Sequence, residues 1–400
     1  MAGEWLAYGE LGLATIGFAP FALHRWSCSK WIKNGDLVCP EEMSGLEITI
    51  LLPVWNESLI IEKKLSNLAK QDFKSHLVII DSASTDDTVS KSETWLKDFP
   101  EAFESFEIIR MKERLGKTFA VKQAIDGIAR KDGIIVMTDA DATIMPGALT
   151  RINRWFSNPN IGAVGGTPNR QGTLQGEVAH RSIYTSTRLG ESNFDSTPFL
   201  EGSLLAWRAN MVKSSDLYGK ANADDAQIAT AVRLNGLRAV QDNELVFTDL
   251  MPTTRRGQRR QKVRRAQGLI RLLVRNRKHW FSKRQGRFAT ILRRNAWMHI
   301  LSPLAITGAA VLGLLRNLTY LPETNLMGVL SVIEAYCLVS WMLVRVNKPI
   351  FGFRIAGTIM CGLENLLVAT IVSGRGKSLH MWEQHTDCLL YTSDAADEIA

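Results

Sequence analysis

Residues 134–141 read Ile134-Ile135-Val136-Met137-Thr138-Asp139-Ala140-Asp141. Five apolar or β-branched residues in a row predict a strand buried on both faces. Two carboxylates one residue apart at its carboxyl end stand where open α/β sheets bind ligands, in the crevice beyond the strand ends. While the chain stays extended, Asp139 and Asp141 point the same way. Hard oxygen donors of this kind suit Mg²⁺ or Mn²⁺, and an ion held there could carry the diphosphate of a nucleotide. The same pair also reads as a solvated turn after a strand, so its meaning depends on its surroundings.

Outward from that stretch the chain keeps a βα rhythm. Further strands are predicted at Glu47–Leu52, Leu77–Asp81, Glu107–Met111 and Ile161–Gly165, and helices at Glu57–Gln71, Asp86–Lys97, Lys117–Ala129 and Gly147–Phe156. Apolar strands alternating with amphipathic helices predict an α/β fold with a mostly parallel sheet covered on both faces. Thr85-Asp86-Asp87-Thr88 is a helix start, with Ser84 or Thr85 as cap. A second part, about Gln171 to Asp249, holds a helix near Leu174–Glu191 and another at Asp225–Leu234.

Four hundred residues leave ample material for a core. The ends differ from the middle. Trp5 to Leu23 is moderately apolar, contains Glu10, and is followed by His24, Arg25, Lys30 and Lys33. Charges that follow an apolar run, rather than precede it, point away from a signal peptide and toward a transmembrane or interfacial helix. The basic flank puts the next domain on the cytoplasmic side. Between Arg255 and Arg294 stand sixteen Lys or Arg and no acid. Three apolar runs follow, Asn295–Leu315, Leu326–Val346 and Ile350–Val372. Four spans would leave Arg375 and Lys377 outside, against the positive-inside tendency, so one of the four is expected to be interfacial or re-entrant. Glu334 and Glu364 fall inside apolar runs, where they either line a passage or are hydrogen-bonded within a bundle, with Asn365 a local partner.

The net charge is +8. Cys388 to Glu398 reads as one frame of a transposase-type sequencing adapter, a scar to be set aside. Without its three acids the remainder stands at about +11. Of the other cysteines, Cys28, Cys39, Cys337 and Cys361, none forms a Cys-x-x-Cys pair, which argues against a zinc site or disulfide framework and for a reducing compartment. The basic segment would permit nucleic acid. With Trp280 and Phe281 as its few aromatics, and apolar runs directly after it, anionic lipid headgroups fit better.

Several polar groups converge on the strand ends. Pro53-Val54-Trp55-Asn56-Glu57 ends the first strand and Asp81 the second. Asp81 either accepts a hydrogen bond from a base or ribose or makes an Asx-type turn. Gly116-Lys117 opens a helix where a cation and free N–H groups can meet phosphate. Neither a P-loop nor a Gly-x-Gly-x-x-Gly dinucleotide fingerprint is present. Asp224-Asp225 at a helix start is either a cap pair or holds a general base whose pKa a neighbouring carboxylate raises.

Taken in order, Pro53-Val54-Trp55-Asn56-Glu57, Asp81, Gly116-Lys117, Asp139-Ala140-Asp141, Glu201-Gly202-Ser203-Leu204-Leu205-Ala206-Trp207-Arg208, Asp225 and Gln261-Lys262-Val263-Arg264-Arg265 resemble family 2 glycosyltransferases. The likeness is to membrane-integrated synthases of the cellulose, chitin and hyaluronan type and covers about Glu47 to Leu273. Each motif is weak alone; their joint order is specific.

The resemblance implies a GT-A-type sheet flanked by helices over about 45–250, with 1–40 an N-terminal membrane helix and basic flank, 251–294 an interfacial and acceptor segment, and 295–375 the C-terminal membrane helices. It implies nucleotide contacts from Pro53, Asn56, Glu57, Asp81, Lys117 and Asp139, and Mg²⁺ or Mn²⁺ on Asp139 and Asp141. Asp225 would be the catalytic base, with Gly202, Ser203, Gln261, Arg264 and Arg265 serving acceptor and diphosphate. Arg265 stands where the processive members carry Trp, which points to a lipid-linked or short glycan acceptor. The partners that the resemblance implies are a nucleotide-sugar donor, with UDP in the family's manner, that acceptor and membrane lipids, without nucleic acid. A catalytically silent scaffold would have lost Asp139, Asp141 or Asp225. A sugar-phosphate nucleotidyltransferase would show a Gly- and Arg-containing loop after the first strand, which is missing.

Overall fold

The computed structural model describes residues 2–128, 132–169, 175–249, 254–320, 326–346, 348 and 350–379; the adapter-like stretch 388–398 lies outside them. In chain order the main elements are α1 (Ala2–Asn34), β1 (Ile48–Val54), α2 (Ile61–Ala69), β2 (His76–Asp81), α3 (Thr88–Asp98), β3 (Ser105–Arg110), α4 (Lys117–Gly127), β4 (Ile134–Thr138), β5 (Ala142–Ile144) and α5 (Ala148–Trp155). There follow β6 (Ile161–Pro168), α6 (Gln175–Phe194), β7 (Leu204–Arg208), α7 (Asp224–Leu234), β8 (Arg238–Asp249), α8 (Arg255–Arg275), α9 (Gly286–Ala296), α10 (Ser302–Thr319), α11 (Leu326–Arg345) and α12 (Arg354–Gly374).

The eight strands form one sheet in the order β3-β2-β1-β4-β7-β6-β8-β5. β3, β2, β1 and β4 run parallel, whereas β7 is antiparallel to both β4 and β6. The apolar runs split cleanly between the faces. Ile134 and Val136 join one core with Ile48, Ile50 and Leu52, while Ile135 and Met137 join the other with Leu51 and Trp207. A sheet buried on both faces needs this uninterrupted apolar character rather than alternation.

Register brings the polar strand ends level. Val54 pairs with Asp81, Leu51 with Met137, and Thr138 with Leu204. Pro53 pairs with Ile80, beyond the last pair between β1 and β4, an edge-like place where strand proline is tolerated. The five predicted strands are present. β7 and β8 add antiparallel and mixed pairing that the βα rhythm did not foreshadow. Helix α3 starts at Thr88, later than expected, and Asp86 Oδ1 takes its first N–H at 3.1 Å.

The chain divides into two compact units, the sheet with its helices and a helical unit built from Met1–Lys30, Gly172–Thr187 and Leu269–Lys377. Among the described residues four helices are long and apolar enough to cross a membrane, Gly3–Asn34, Lys283–Thr319, Leu326–Arg345 and Arg354–Gly374. The second of these runs unbroken from α9 through a π-helical turn at Trp297–Leu301 into α10. The charges within these apolar helices are hydrogen-bonded to one another. Arg316 is 1% exposed and donates to Glu10 Oε2 at 2.9 Å and Glu334 Oε2 at 3.0 Å. Glu364 accepts from Arg345 at 2.7 Å and from Trp341 Nε1 at 3.0 Å, reaching the neighbouring helix where the sequence had offered only a local Asn365.

Candidate active site

The turn after β4 carries Asp139 and Asp141. Asp139 Oδ1 receives the Lys117 ammonium at 2.5 Å and Oδ2 the Ser203 hydroxyl at 3.2 Å. Lys117 is the first residue of α4, preceded by Gly116 at φ 94°. Only glycine adopts that angle without cost, and it lets the chain turn into the helix. The same ammonium lies 3.6 Å from Asp224 Oδ2, so one cation bridges two carboxylates. Despite burial, these neighbours hold the Lys117 amine above its ordinary range and Asp139 below the usual carboxylate range.

Asp141 has the opposite character. Its side chain reaches solvent but is set into dense protein, and its carboxyl is pushed up to about 7, first by desolvation and then by Asp139 and Asp249. Asp139 and Asp249 thus disfavour the charged form of Asp141 more than Lys117 and Lys64 favour it. Among the described residues no three His, Cys, Asp or Glu side chains form a ready-made metal cage. The donor set nevertheless fits Mg²⁺ or Mn²⁺, which typically take one or two carboxylates and complete their shell with water and substrate phosphates. Asp139 and Asp141 would hold the ion.

Asp225 stands in the first turn of α7. Its Oδ2 accepts the Gly202 N–H at 3.0 Å and its Oδ1 the Ala226 N–H at 2.7 Å, so both oxygens are fixed in direction. Desolvation, then the charge of Asp224, with a smaller push from Glu201, raise its carboxyl to about 7. Ala223, just before it, sits at φ 63° without being glycine. Such left-handed residues cost about 1–3 kcal/mol and gather at functional sites.

Glu201 is held by Arg188 Nη1 at 2.5 Å and approached by Arg265 Nη1 at 3.7 Å. Arg265 projects from α8 and is 45% exposed. Gln261 lies one turn earlier on that helix, half-buried, and the Arg264 carbonyl accepts from Asn222 Nδ2, which ties α8 to the turn before α7.

On the other side of β1 the Asp81 carboxylate accepts the Ser84 N–H at 3.2 Å, making the Asx-type turn that the sequence allowed. Asn56, at φ 55°, accepts the Thr85 N–H at 2.8 Å and donates its own N–H to Ser84 Oγ at 2.9 Å. Glu57 is buried, and its N–H goes to Thr88 Oγ1 at 2.7 Å. Arg114 lies over the Trp55 ring, 3.3 Å from its centroid.

Hydrogen bonds and ion pairs therefore link Lys117, Asp139, Ser203, Gly202 and Asp225, with Arg265 joined through Glu201. Asp81, Asn56 and Glu57 form a separate hydrogen-bonded corner at the ends of β1 and β2. Sequence reasoning quoted Glu201 only as part of a motif, without a role, and missed Arg188, Asp249 and Lys64. For Lys64 a signal existed: it occupies the buried stripe Ile61, Lys64, Leu65, Leu68, a lysine where helical periodicity calls for an apolar residue. Burial pulls its amine down to about 7 against the opposing pull of Asp139 and Asp141.

Residues 49–214 match the family described as Glycosyl transferase family 2. The chain is 25% identical over 244 residues to the poly-β-1,6-N-acetyl-D-glucosamine synthase of Staphylococcus aureus (strain COL), covering 59% of this chain and 57% of that protein. It is 27% identical over 116 residues to an uncharacterized protein of Mycobacterium tuberculosis (strain CDC 1551 / Oshkosh), covering 29% of this chain and 34% of that one. The chain thus spans little more than half the length of the first and a third of the second. Among solved structures, the mannosyltransferase PcManGT from Pyrobaculum calidifontis, in complex with GDP-Man and Mn²⁺, superposes with a TM-score of 0.74 at 24% identity, over 92% of this chain and 99% of that one. The chain carries a family 2 glycosyltransferase domain on a GT-A-type fold, with long apolar helices in its N- and C-terminal regions.

Proposed function

We propose that the protein is an inverting glycosyltransferase that moves a sugar from a nucleotide donor, UDP-linked, to a lipid-linked or glycan acceptor at the cytoplasmic face of a membrane. The observation that carries this reading is the placement of Asp225, fixed by two N–H groups and poised near neutral pH, with one of those groups on Gly202, whose neighbour Ser203 hydrogen-bonds Asp139. Inverting transfer needs one base and no carboxylate nucleophile. Asp225 would take the proton of the acceptor hydroxyl, which Gly202 and Ser203 help to seat. Lys117, Arg264 and Arg265 would lie against the diphosphate and any acceptor phosphate. Pro53, Asn56, Glu57 and Asp81 would face the base and ribose, with Gln261 on the acceptor side. When bound at Asp139 and Asp141, a divalent ion supplies charge neutralisation on the departing diphosphate.

The four long apolar helices support membrane attachment. The basic segment 251–294 would meet anionic headgroups beside the apolar helices within 295–375, and α1 with its flank (1–40) would complete the anchor around a catalytic domain of about 45–250. A processive polysaccharide synthase is the second reading. The likeness to the staphylococcal synthase favours it, whereas Arg265, which binds phosphate or a sugar edge rather than stacking flat, favours a short product.

A donor screen on purified membranes with Mg²⁺ or Mn²⁺, following nucleotide release and product size, tests both. UDP release coupled to one or a few sugars added is expected. GDP release would overturn the donor assignment, and a long ladder would establish the second reading. Nucleotide release and extension by Asp225→Asn at the wild-type rate would refute the mechanism.

A further inference from the structure

Lys64 has no role in the reaction as drawn, yet it is tied into the turns that bear the reacting groups. It is 3% exposed on the inner stripe of α2. Its Nζ donates to Thr138 Oγ1 at 2.8 Å and to the Ala142 carbonyl at 2.5 Å. One ammonium therefore clasps the chain immediately before Asp139 and immediately after Asp141. Thr138 Oγ1 donates its own O–H to the Ser203 carbonyl at 2.8 Å, and Ser203 Oγ donates to Asp139 Oδ2 at 3.2 Å. The next residue back, Gly202, supplies the N–H that fixes Asp225. A continuous path thus runs from α2 through the Asp139–Asp141 turn to the Gly202–Ser203 turn. An alkyl side chain would fill the same stripe without the cost of burying a charge, so packing does not account for a lysine here.

We propose that Lys64 is a positioning residue that sets the spacing between the Asp139–Asp141 carboxylates and the turn that orients Asp225. The inference rests on the transferase reading above. Its physical basis is that a misplacement of about 1 Å between reacting groups can cost about a hundredfold in rate.

The test uses the full chain in lipid nanodiscs as wild type, Lys64→Met and Thr138→Val. Methionine keeps the stem and removes the donors; valine is isosteric with threonine and removes the relay oxygen. In protein free of metal and nucleotide, amide hydrogen exchange across 138–142 and 202–205 is expected to accelerate about tenfold or more in Lys64→Met, while 61–69 exchanges as in wild type. A residue that only fills the core would instead loosen α2. Turnover at saturating donor should fall by about a hundredfold with acceptor KM held within twofold. Unchanged exchange in the two turns, or turnover within threefold of wild type, overturns the proposal. Should Lys64→Met fail to fold, Thr138→Val decides: faster exchange at 202–205 with reduced turnover supports the role, and wild-type behaviour on either count refutes it. If wild type transfers sugar from no donor, the transferase reading falls, and the exchange measurement still judges whether Lys64 holds the two turns.

Discussion

Asp225 carries two opposite consequences of one environment. Its carboxyl is raised to about 7 by burial and by Asp224, so the base form fills only as pH passes that value. We predict that kcat/KM rises about tenfold per pH unit below 7 and levels above it, and that Asp225→Asn lowers turnover by about 10²–10⁴ with the fold retained. Stability runs the other way. An acid whose folded pKa lies above its unfolded value binds more protons when folded between about pH 4 and 7, so stability falls as pH rises through that window. The Tm of Asp225→Asn relative to wild type should therefore be more favourable at pH 8 than at pH 5; a constant difference would show that the carboxyl is not raised. The places of Asp139 and Asp141 after a strand and of Asp225 at a helix start were legible, because a buried apolar run and an amphipathic helix each mark their own ends. The stripe of α2 marked Lys64 as out of pattern, but its partners Thr138 and Ala142 were not legible, because they lie more than seventy residues away.

At the scale of elements, the parallel strands declared themselves and the antiparallel ones did not. β1, β2 and β4 are short apolar runs separated by amphipathic helices. β8 is twelve residues long but carries Gln241, Asp242, Asn243 and Glu244 in its middle, which masks the strand pattern. The Asp242 carboxylate is used internally, accepting from Arg151 Nε at 2.5 Å and Trp155 Nε1 at 2.6 Å. The pairing of α11 with α12 was equally hidden, since composition alone does not reveal which faces meet. There a Cβ on Gly357 would come within 2.1 Å of the Ser340 carbonyl oxygen, the close approach that small residues allow between membrane helices. Gly357→Ala should destabilise the pair by about 1–3 kcal/mol. Gly374→Ala, which meets no atom within 4 Å, should stay within about 0.5 kcal/mol of wild type. Thermal unfolding in detergent compares them, and equal Tm values for the two variants would contradict the packing.

For the molecule as a whole, the two units answer to different removals. In the helical unit, Arg316 is nearly inaccessible and holds both Glu10 and Glu334. Removing it strands two carboxylates, so Arg316→Met should cost about 3–5 kcal/mol. Arg345→Met removes a far more exposed cation and leaves a single carboxylate, Glu364, which still accepts from Trp341 Nε1; it should cost far less, and the reverse ranking in thermal unfolding would argue against the network. In the sheet unit the corresponding removal is that of the divalent ion proposed for Asp139 and Asp141. Asp141 feels the charges of both Asp139 and Asp249, so a divalent cation should relieve repulsion as well as serve the reaction. Chelation should abolish transfer, and Mn²⁺ or Mg²⁺ should restore it. Because the folded state alone presents both carboxylates together, metal at about a hundred times its Kd should add about 2.7 kcal/mol to stability. That gain must shrink below about pH 7, since a proton on Asp141 competes with the ion for the same oxygens. A metal-induced rise in Tm that is large at pH 8 and small at pH 5.5, and lost in Asp141→Asn, would place the ion on this pair; a rise that ignores pH and survives the substitution would place it elsewhere.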